Sequence, residues 1–375
     1  MKKNQPKIET IQTPTIGYFS GLDTLRFICA TGVIFHHTWL SLSNKGFTKN
    51  ALHAYSGAFF LNVFFIISGF LISFILIKEI QTDKYNLKKF YMRRIIRIWP
   101  LFFLMVLIRI IIMPMAQHVS FETIKTNLAY ALSFSINYQL ICEQVSKTYT
   151  ILWSVCIEEH IYLLLPLFLL LFKRNIKNIA LFLIISGFIS WFYFSKIPSA
   201  SGYNTAYFVS TSYFYYFGIG ALLAYFHQTI SSEKFKTLFT PTIQIIVFIV
   251  GALYVFNGFA SGAYQLAISL ICYGLLGAYL VCISVQKNFM LKLKPNVTRY
   301  LGNISYAMYL VHTIVVGFCT KIFTKKAINL SDFKLNILIP IVATLITVVL
   351  ASLLYYLFEK HFLKLKTKYT TVLNK

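Results

Sequence analysis

Apolar residues in this chain run in long, nearly unbroken blocks instead of alternating or returning every third or fourth position. Blocks of about 17 to 25 mainly apolar residues match the hydrocarbon thickness of a bilayer when coiled as helices. Ten can be marked: 22–42, 59–78, 98–115, 151–172, 179–195, 206–226, 242–259, 263–285, 301–323 and 335–358. In lipid each peptide group must bond within its own segment or a closed barrel, so such blocks are expected to be helices. The pattern predicts an all-α, polytopic integral membrane helical bundle of about ten transmembrane helices. The stretch NLAYALSFSINYQLI, residues 127–141, is apolar but short and is interrupted by Asn137. It reads as an eleventh span, a re-entrant helix or a surface helix.

Charge discriminates between these layouts, because an added span reverses the sidedness of everything after it. Ten spans with both termini cytoplasmic place 24 Lys and Arg on inner segments and 9 on outer ones, with Arg26 and Arg109 inside spans. An eleventh span would divide them almost evenly, so the positive-inside rule selects ten. The exception is the outward loop holding Lys321, Lys325, Lys326 and Lys334, basic enough to meet an anionic lipid or glycan or simply to be solvated. The expected organisation is a cytoplasmic segment over 1–20, a membrane domain over 21–358 and a basic cytoplasmic tail over 359–375. The first sixteen residues are polar and no small-residue cleavage site follows the first apolar block, so that block reads as a retained span.

Composition narrows the function classes. With 57% hydrophobic and 12% charged residues and a mean hydropathy of +0.67, the chain lies outside the range of soluble domains. The net charge of +24 belongs to loops between spans, which argues against nucleic acid as a partner and for membrane lipids. Six cysteines are scattered without paired spacing, five of them in apolar blocks, and suggest neither a disulfide framework nor a metal site. The two halves share no matching Gly or Pro interruptions, which disfavours the inverted repeats of secondary transporters.

Ionisable residues inside spans are costly and therefore candidates for function. In TLRFICATGVIFHHTWL, Arg26 and His37 are eleven residues apart and fall within about 20° of one helical face, whereas His36 points about 80° away. Asp23 lies one turn before Arg26 and can pair with it. Ser68 and Gly69 make a small-residue notch in VFFIISGFLI. In KKFYMRRIIRIWP, Arg94 and Arg97 share one side of a helix start, a geometry suited to phosphate, though an interfacial anchor explains the lysines equally well. The block LWSVCIEEHIYLLLP, residues 152–166, carries Trp153, Glu158, Glu159 and His160; at least one carboxylate must face inward. Tyr306, Tyr309 and His312 step at threes along LGNISYAMYLVHT, a polar strip in an apolar helix.

Five ordered blocks, GLDTLRFICATGVIFHH, FFIISGFLI, FYMRRIIRIWPLF, LWSVCIEEHIYLLLPL and LGNISYAMYLVH, together resemble the acyltransferase 3 family, which includes bacterial O-antigen and peptidoglycan O-acetylases. The resemblance implies transfer of an acyl group, usually acetyl, from cytosolic acyl-CoA to a hydroxyl of a surface carbohydrate, in a bacterial inner membrane. It implies no permanently bound cofactor, with acyl-CoA as co-substrate and a carbohydrate or lipid-linked glycan as acceptor. The family's Arg and His separated by ten residues fall on Arg26 and His37, and its Arg-x-x-Arg motif on Arg94 and Arg97. His160 departs from the pattern, since many relatives carry Gln there. Some relatives add a C-terminal extracellular hydrolase-like domain; with about 17 residues after the last span, a second transfer step is expected to need another protein.

A hydroxyl attacks poorly unless a base removes its proton. The expected base is His37, with Glu158 or Glu159 holding its tautomer in the manner of a triad, and a transient acyl-histidine as the alternative. Arg26, Arg94 and Arg97 are expected to bind the donor, with Asp23, His36, Ser68, Trp153, His160, Tyr306, Tyr309 and His312 supporting the site. A transporter or flippase for a lipid-linked glycan or acyl group, using the same residues as a path or relay, and a non-catalytic scaffold remain the other classes. The acceptor, the acyl chain and a homo-oligomeric state are left open.

Overall fold

The computed structural model describes residues 19–47, 56–143, 149–230, 239–257, 263–286, 289–291, 293–325, 331 and 333–370. Most of the predicted 1–20 segment and residues 371–375 of the predicted tail lie outside them. The described chain is helical almost throughout, with one isolated bridge between Pro198 and Asn204 and no strand. In order, the helices are α1 (Ser20–Ser43), α2 (Ser56–Gln81), α3 (Leu87–Val106), α4 (Met113–Ala116), α5 (Phe121–Leu132), α6 (Ile136–Cys142) and α7 (Trp153–Leu171). They continue with α8 (Ile176–Phe194), α9 (Phe214–Thr229), α10 (Pro241–Asn257), α11 (Ala263–Ser284), α12 (Pro295–Lys325), α13 (Ile339–Leu354) and α14 (Lys360–Leu365).

A helix lies on each of the ten predicted blocks, and six helical stretches are long and apolar enough by length and composition to cross a membrane. Their outward faces are apolar: Leu345, Val349 and Leu353 line one exposed side of α13 at steps of four. Water would penalise such a stripe, whereas lipid does not. The ambiguous 127–141 stretch breaks into α5 and α6 at Phe134, whose φ is 53°. Twelve and seven residues of helix cover about 18 and 11 Å, too little for a bilayer core of about 30 Å. Asn127, Gln139 and Tyr149 bond to one another and tie α5, α6 and the approach to α7 together.

The third helix starts well before the apolar block marked at 98–115: it runs from Leu87 through the whole basic stretch, the Asn86 side chain caps its start by accepting from the Lys89 N–H, and Pro100 falls inside α3. A capping Asn and a run of straight-chain Lys and Arg favour helix locally. The guanidinium groups therefore point from a rigid scaffold.

Packing is closest where side chains vanish. Gly69 of α2 faces the backbone carbonyl of Phe217, and Gly220 of α9 faces that of Ile66, so the two helices approach backbone to backbone. On the opposite flank of α1, Gly302 of α12 leaves room for the Asp23 carboxylate. Phe19, just before α1, packs edge-on against Phe70 and Phe74 of α2, and Arg93 near the start of α3 donates to the Tyr369 carbonyl, which gathers the start of α1, the end of α2, the start of α3 and the C-terminal stretch at one end of the bundle.

Candidate active site

At that end a cavity of about 350 Å³ opens between α1, α2, α3, α7, α12 and the C-terminal stretch, within the size range that encloses small-molecule ligands. Asp23 and Arg26, one turn apart on α1, pair along its wall at 3.1 Å. From α7, Ser154, Glu158 and Tyr162 recur every four residues and share the face that lines it. Ser68 of α2 and Tyr162 each donate to the same Glu158 oxygen, Oε1, at 2.5 Å.

Arg94 and Arg97 project from α3 into the same space. The Arg94 guanidinium sits 5.6 Å from both the Phe90 and the Tyr162 ring centroids, a cation held between aromatic faces. Its buried Nε and Nη2 have no hydrogen-bond partner among the described residues. Neither Arg94 nor Arg97 takes part in the ion pairs between described residues. Planar donors buried without an acceptor fit an incoming phosphate. Lys366, beyond α14, adds a fourth cation to Arg26, Arg94 and Arg97, against the carboxylates Asp23 and Glu158.

The inner end of the cavity is closed by Ser154 and Tyr309, whose hydroxyls lie 2.6 Å apart. Behind Tyr309 stands His312, wholly buried, whose Nδ1 lies 2.6 Å from the Tyr309 carbonyl oxygen. A carbonyl only accepts, so Nδ1 carries the proton; Nε2 has no partner among the described residues. The His37 ring is 5.0 Å from that of His312 and 5.1 Å from that of His36, and His36 Nδ1 lies 3.4 Å from the Ser56 hydroxyl. The three histidines thus form a cluster next to the cavity, with His37 about 16 Å along α1 from Arg26.

The sequence-predicted residues divide accordingly. Asp23, Arg26, Ser68, Arg94, Arg97, Glu158, Tyr306 and Tyr309 line the cavity, while His36, His37 and His312 group beyond its inner end. Glu159 faces elsewhere: its Oε2 accepts from Trp99 Nε1 at 3.0 Å, one residue round the helix from the cavity face. Neither carboxylate hydrogen-bonds a described histidine; Glu158 is held by Ser68 and Tyr162 instead. His160 bonds Ser210 through Nδ1 at 2.7 Å, and Trp153 packs on Tyr207, Phe208 and Tyr213.

Sequence reasoning missed Ser154, Tyr162, Asn303 and Lys366. For Ser154 and Tyr162 the signal was present, as polar residues four before and four after Glu158. It also missed the buried pair of Glu79 and Arg93, 2.9 Å apart, and gave no role to Arg109, noted only as a charge inside a span, whose Nη2 donates to the Leu310 carbonyl at 2.7 Å and the Thr313 hydroxyl at 2.8 Å. Arg109 sits in a π-helical turn, Leu107–Ile112, one residue more per turn than α, which re-aims the side chain toward α12.

A family model described as an acyltransferase domain, Acyl_transf_3, matches residues 19–356. The chain is 26% identical to the peptidoglycan O-acetyltransferase OatA of Listeria monocytogenes, over 81% of the chain and 50% of that protein. It is 25% identical to the O-acetyltransferase OatA of Staphylococcus aureus, over 95% of the chain and 59% of that protein. It is 30% identical to an uncharacterized protein of Haemophilus influenzae, over 45% of the chain and 75% of that protein. The chain thus spans only about half to three-fifths of the length of the two named O-acetyltransferases. No solved structure matches.

Proposed function

Because the chain belongs to this acyltransferase family, we propose that it is a membrane O-acyltransferase that moves an acetyl group from cytosolic acetyl-CoA to a hydroxyl of a surface carbohydrate or lipid-linked glycan. In this reading ten spans, both termini cytoplasmic, sit in a bacterial inner membrane, and the cationic mouth of the cavity faces the compartment that holds CoA. The observation that carries it is a cavity with unpaired cations at its mouth and a histidine cluster past its inner end.

The phosphates of the donor rest on Arg94 and Arg97, and the thioester arm extends along the cavity past Glu158 toward Tyr309. Burial makes these cations effective, since little water competes for the anion. The Ser154–Tyr309 contact, which closes the inner end, parts to let the thioester carbonyl meet the acceptor hydroxyl at the histidine cluster. His37 takes the hydroxyl proton as oxygen bonds to the acetyl carbon; the carbon–sulfur bond then breaks and the thiolate leaves with that proton as CoA thiol. His312, its own ring fixed by the Nδ1–H donated to a carbonyl, packs 5.0 Å from the His37 ring and limits its orientation by that contact. Arg26, fixed by Asp23, acts on the donor and not on His37, because about 16 Å of helix separates the two.

The test is release of CoA thiol from acetyl-CoA by the purified protein with a panel of glycan acceptors. Wild type is expected to release thiol and to acetylate the acceptor, and His37→Ala to lower the rate by at least about a hundredfold, the range of general-base catalysis. Full transfer by His37→Ala would overturn the assignment of the base; failure of wild type to bind acetyl-CoA would overturn the donor.

A further inference from the structure

The family match ends at residue 356, yet the donor cavity does not. Helix α13 continues through a π-helical turn, Tyr355–Glu359, into α14 and a last 3-10 turn, Lys366–Tyr369. Together with the turn before α13 this is a stretch of 36 residues. At about 1.5 Å per residue it reaches some 54 Å, well past a bilayer core of about 30 Å. The overhang packs along the start of α3. There Arg93 Nη1 donates to the Tyr369 carbonyl at 3.0 Å, while Arg93 itself is pinned by Glu79 at 2.9 Å.

This clasp places Lys366 in the wall of the cavity beside Arg94 and Arg97. A basic tail laid against a basic helix is unfavourable unless something anionic lies between them. The acids at hand are outnumbered: Arg26, Arg94, Arg97 and Lys366 line the cavity against Asp23, held by Arg26, and Glu158, held by Ser68 and Tyr162; Glu359 lies outside the lining near Arg97, Glu79 is held by Arg93, and Lys366 joins no ion pair between described residues. Two arginines on one helix and a lysine on a facing strap surround a position for a phosphate group from two sides.

We propose that Lys366 is a phosphate ligand of the acyl donor, carried into the site by the C-terminal stretch beyond the family domain. This rests on the reading that the donor is acetyl-CoA. A lysine is suited to the role as a mobile point charge that supplements the fixed arginine forks.

The test compares acetyl-CoA with S-acetylpantetheine, which has the same thioester arm and no phosphate, using the full chain in detergent. Lys366→Gln is expected to raise the apparent KM for acetyl-CoA roughly tenfold, the size of one charge-assisted hydrogen bond. It should leave kcat and the KM for S-acetylpantetheine within about twofold, and Lys366→Arg should restore most of the loss. A footprint on the wild type needs no variant: CoA should protect the Lys366 amine from acylation by an N-hydroxysuccinimide ester, and pantetheine should not. An unchanged KM in Lys366→Gln, an equal rise for both donors, or equal labelling with and without CoA would overturn the proposal while leaving the acetyl-CoA reading in place. If wild type neither binds nor consumes acetyl-CoA, that reading falls, and this inference with it.

Discussion

At the scale of single residues, adjacent positions on one helix take opposite tasks. Glu158 and Glu159 differ by about 100° around α7, so one faces the cavity with Ser68 and Tyr162 and the other faces Trp99. Glu158→Gln is therefore expected to lower kcat/KM for acetyl-CoA by roughly ten- to a hundredfold, because both donors to Oε1 lose a charged acceptor. Glu159→Gln should stay within about threefold of wild type. Steady-state kinetics on the two proteins decides the matter, and equal losses would refute the division. Arg94→Ala and Arg97→Ala should each raise the KM for acetyl-CoA about tenfold or more with a smaller change in kcat. The sequence announced that one of the two glutamates must turn inward, but choosing between them needed the neighbours. Ser154 and Tyr162, at four-residue steps, held that information. Lys366 was illegible for a different reason: its local sequence is that of a solvated basic tail, and only the Arg93 clasp from a distant helix brings it to the cavity.

At the scale of helices, glycine sets how near two backbones come, and proximity fixes the cavity. The α2–α9 contact depends on Gly69 and Gly220, each against the other helix's carbonyl. A side chain at either position has backbone in its way and cannot be absorbed by a rotamer change. Gly69→Leu should lower the melting temperature in detergent by several degrees or abolish folded protein, in line with overpacking costs of about 1–3 kcal/mol or more. Gly317→Ala is the control, since nothing lies within 4 Å of where its Cβ would be. A Gly69→Leu protein as stable as the control would show that the helices can separate without cost. Helix positions themselves were readable as apolar blocks, because lipid imposes length and forbids open backbone. Boundaries at the polar ends were not: α3 begins eleven residues before the apolar block because a capped, charged helix costs nothing in water or headgroups.

At the scale of the molecule, the mechanism stands on sidedness, since a cytosolic thioester can reach Arg94, Arg97 and Lys366 only if their end of the bundle faces the cytosol. Charge bias selects that orientation, and parity ties it to the 127–141 stretch. If α5 and α6 stay on one side, Cys142 at the end of α6 is outside while the turn at Lys84 is inside; if the stretch crossed, Cys142 would share a side with Lys84. Both positions are exposed, so both can react when reagent reaches them. In intact cells, a maleimide that cannot cross membranes should label Cys142 in a variant whose other five cysteines are replaced by Ser, and should label Lys84→Cys on the same background with Cys142→Ser only after the cells are opened. Labelling of both from outside, or of Lys84→Cys alone, would place the cationic mouth away from the cytosol. The donor would then have to be something other than cytosolic acetyl-CoA, whatever the cavity's residues resemble.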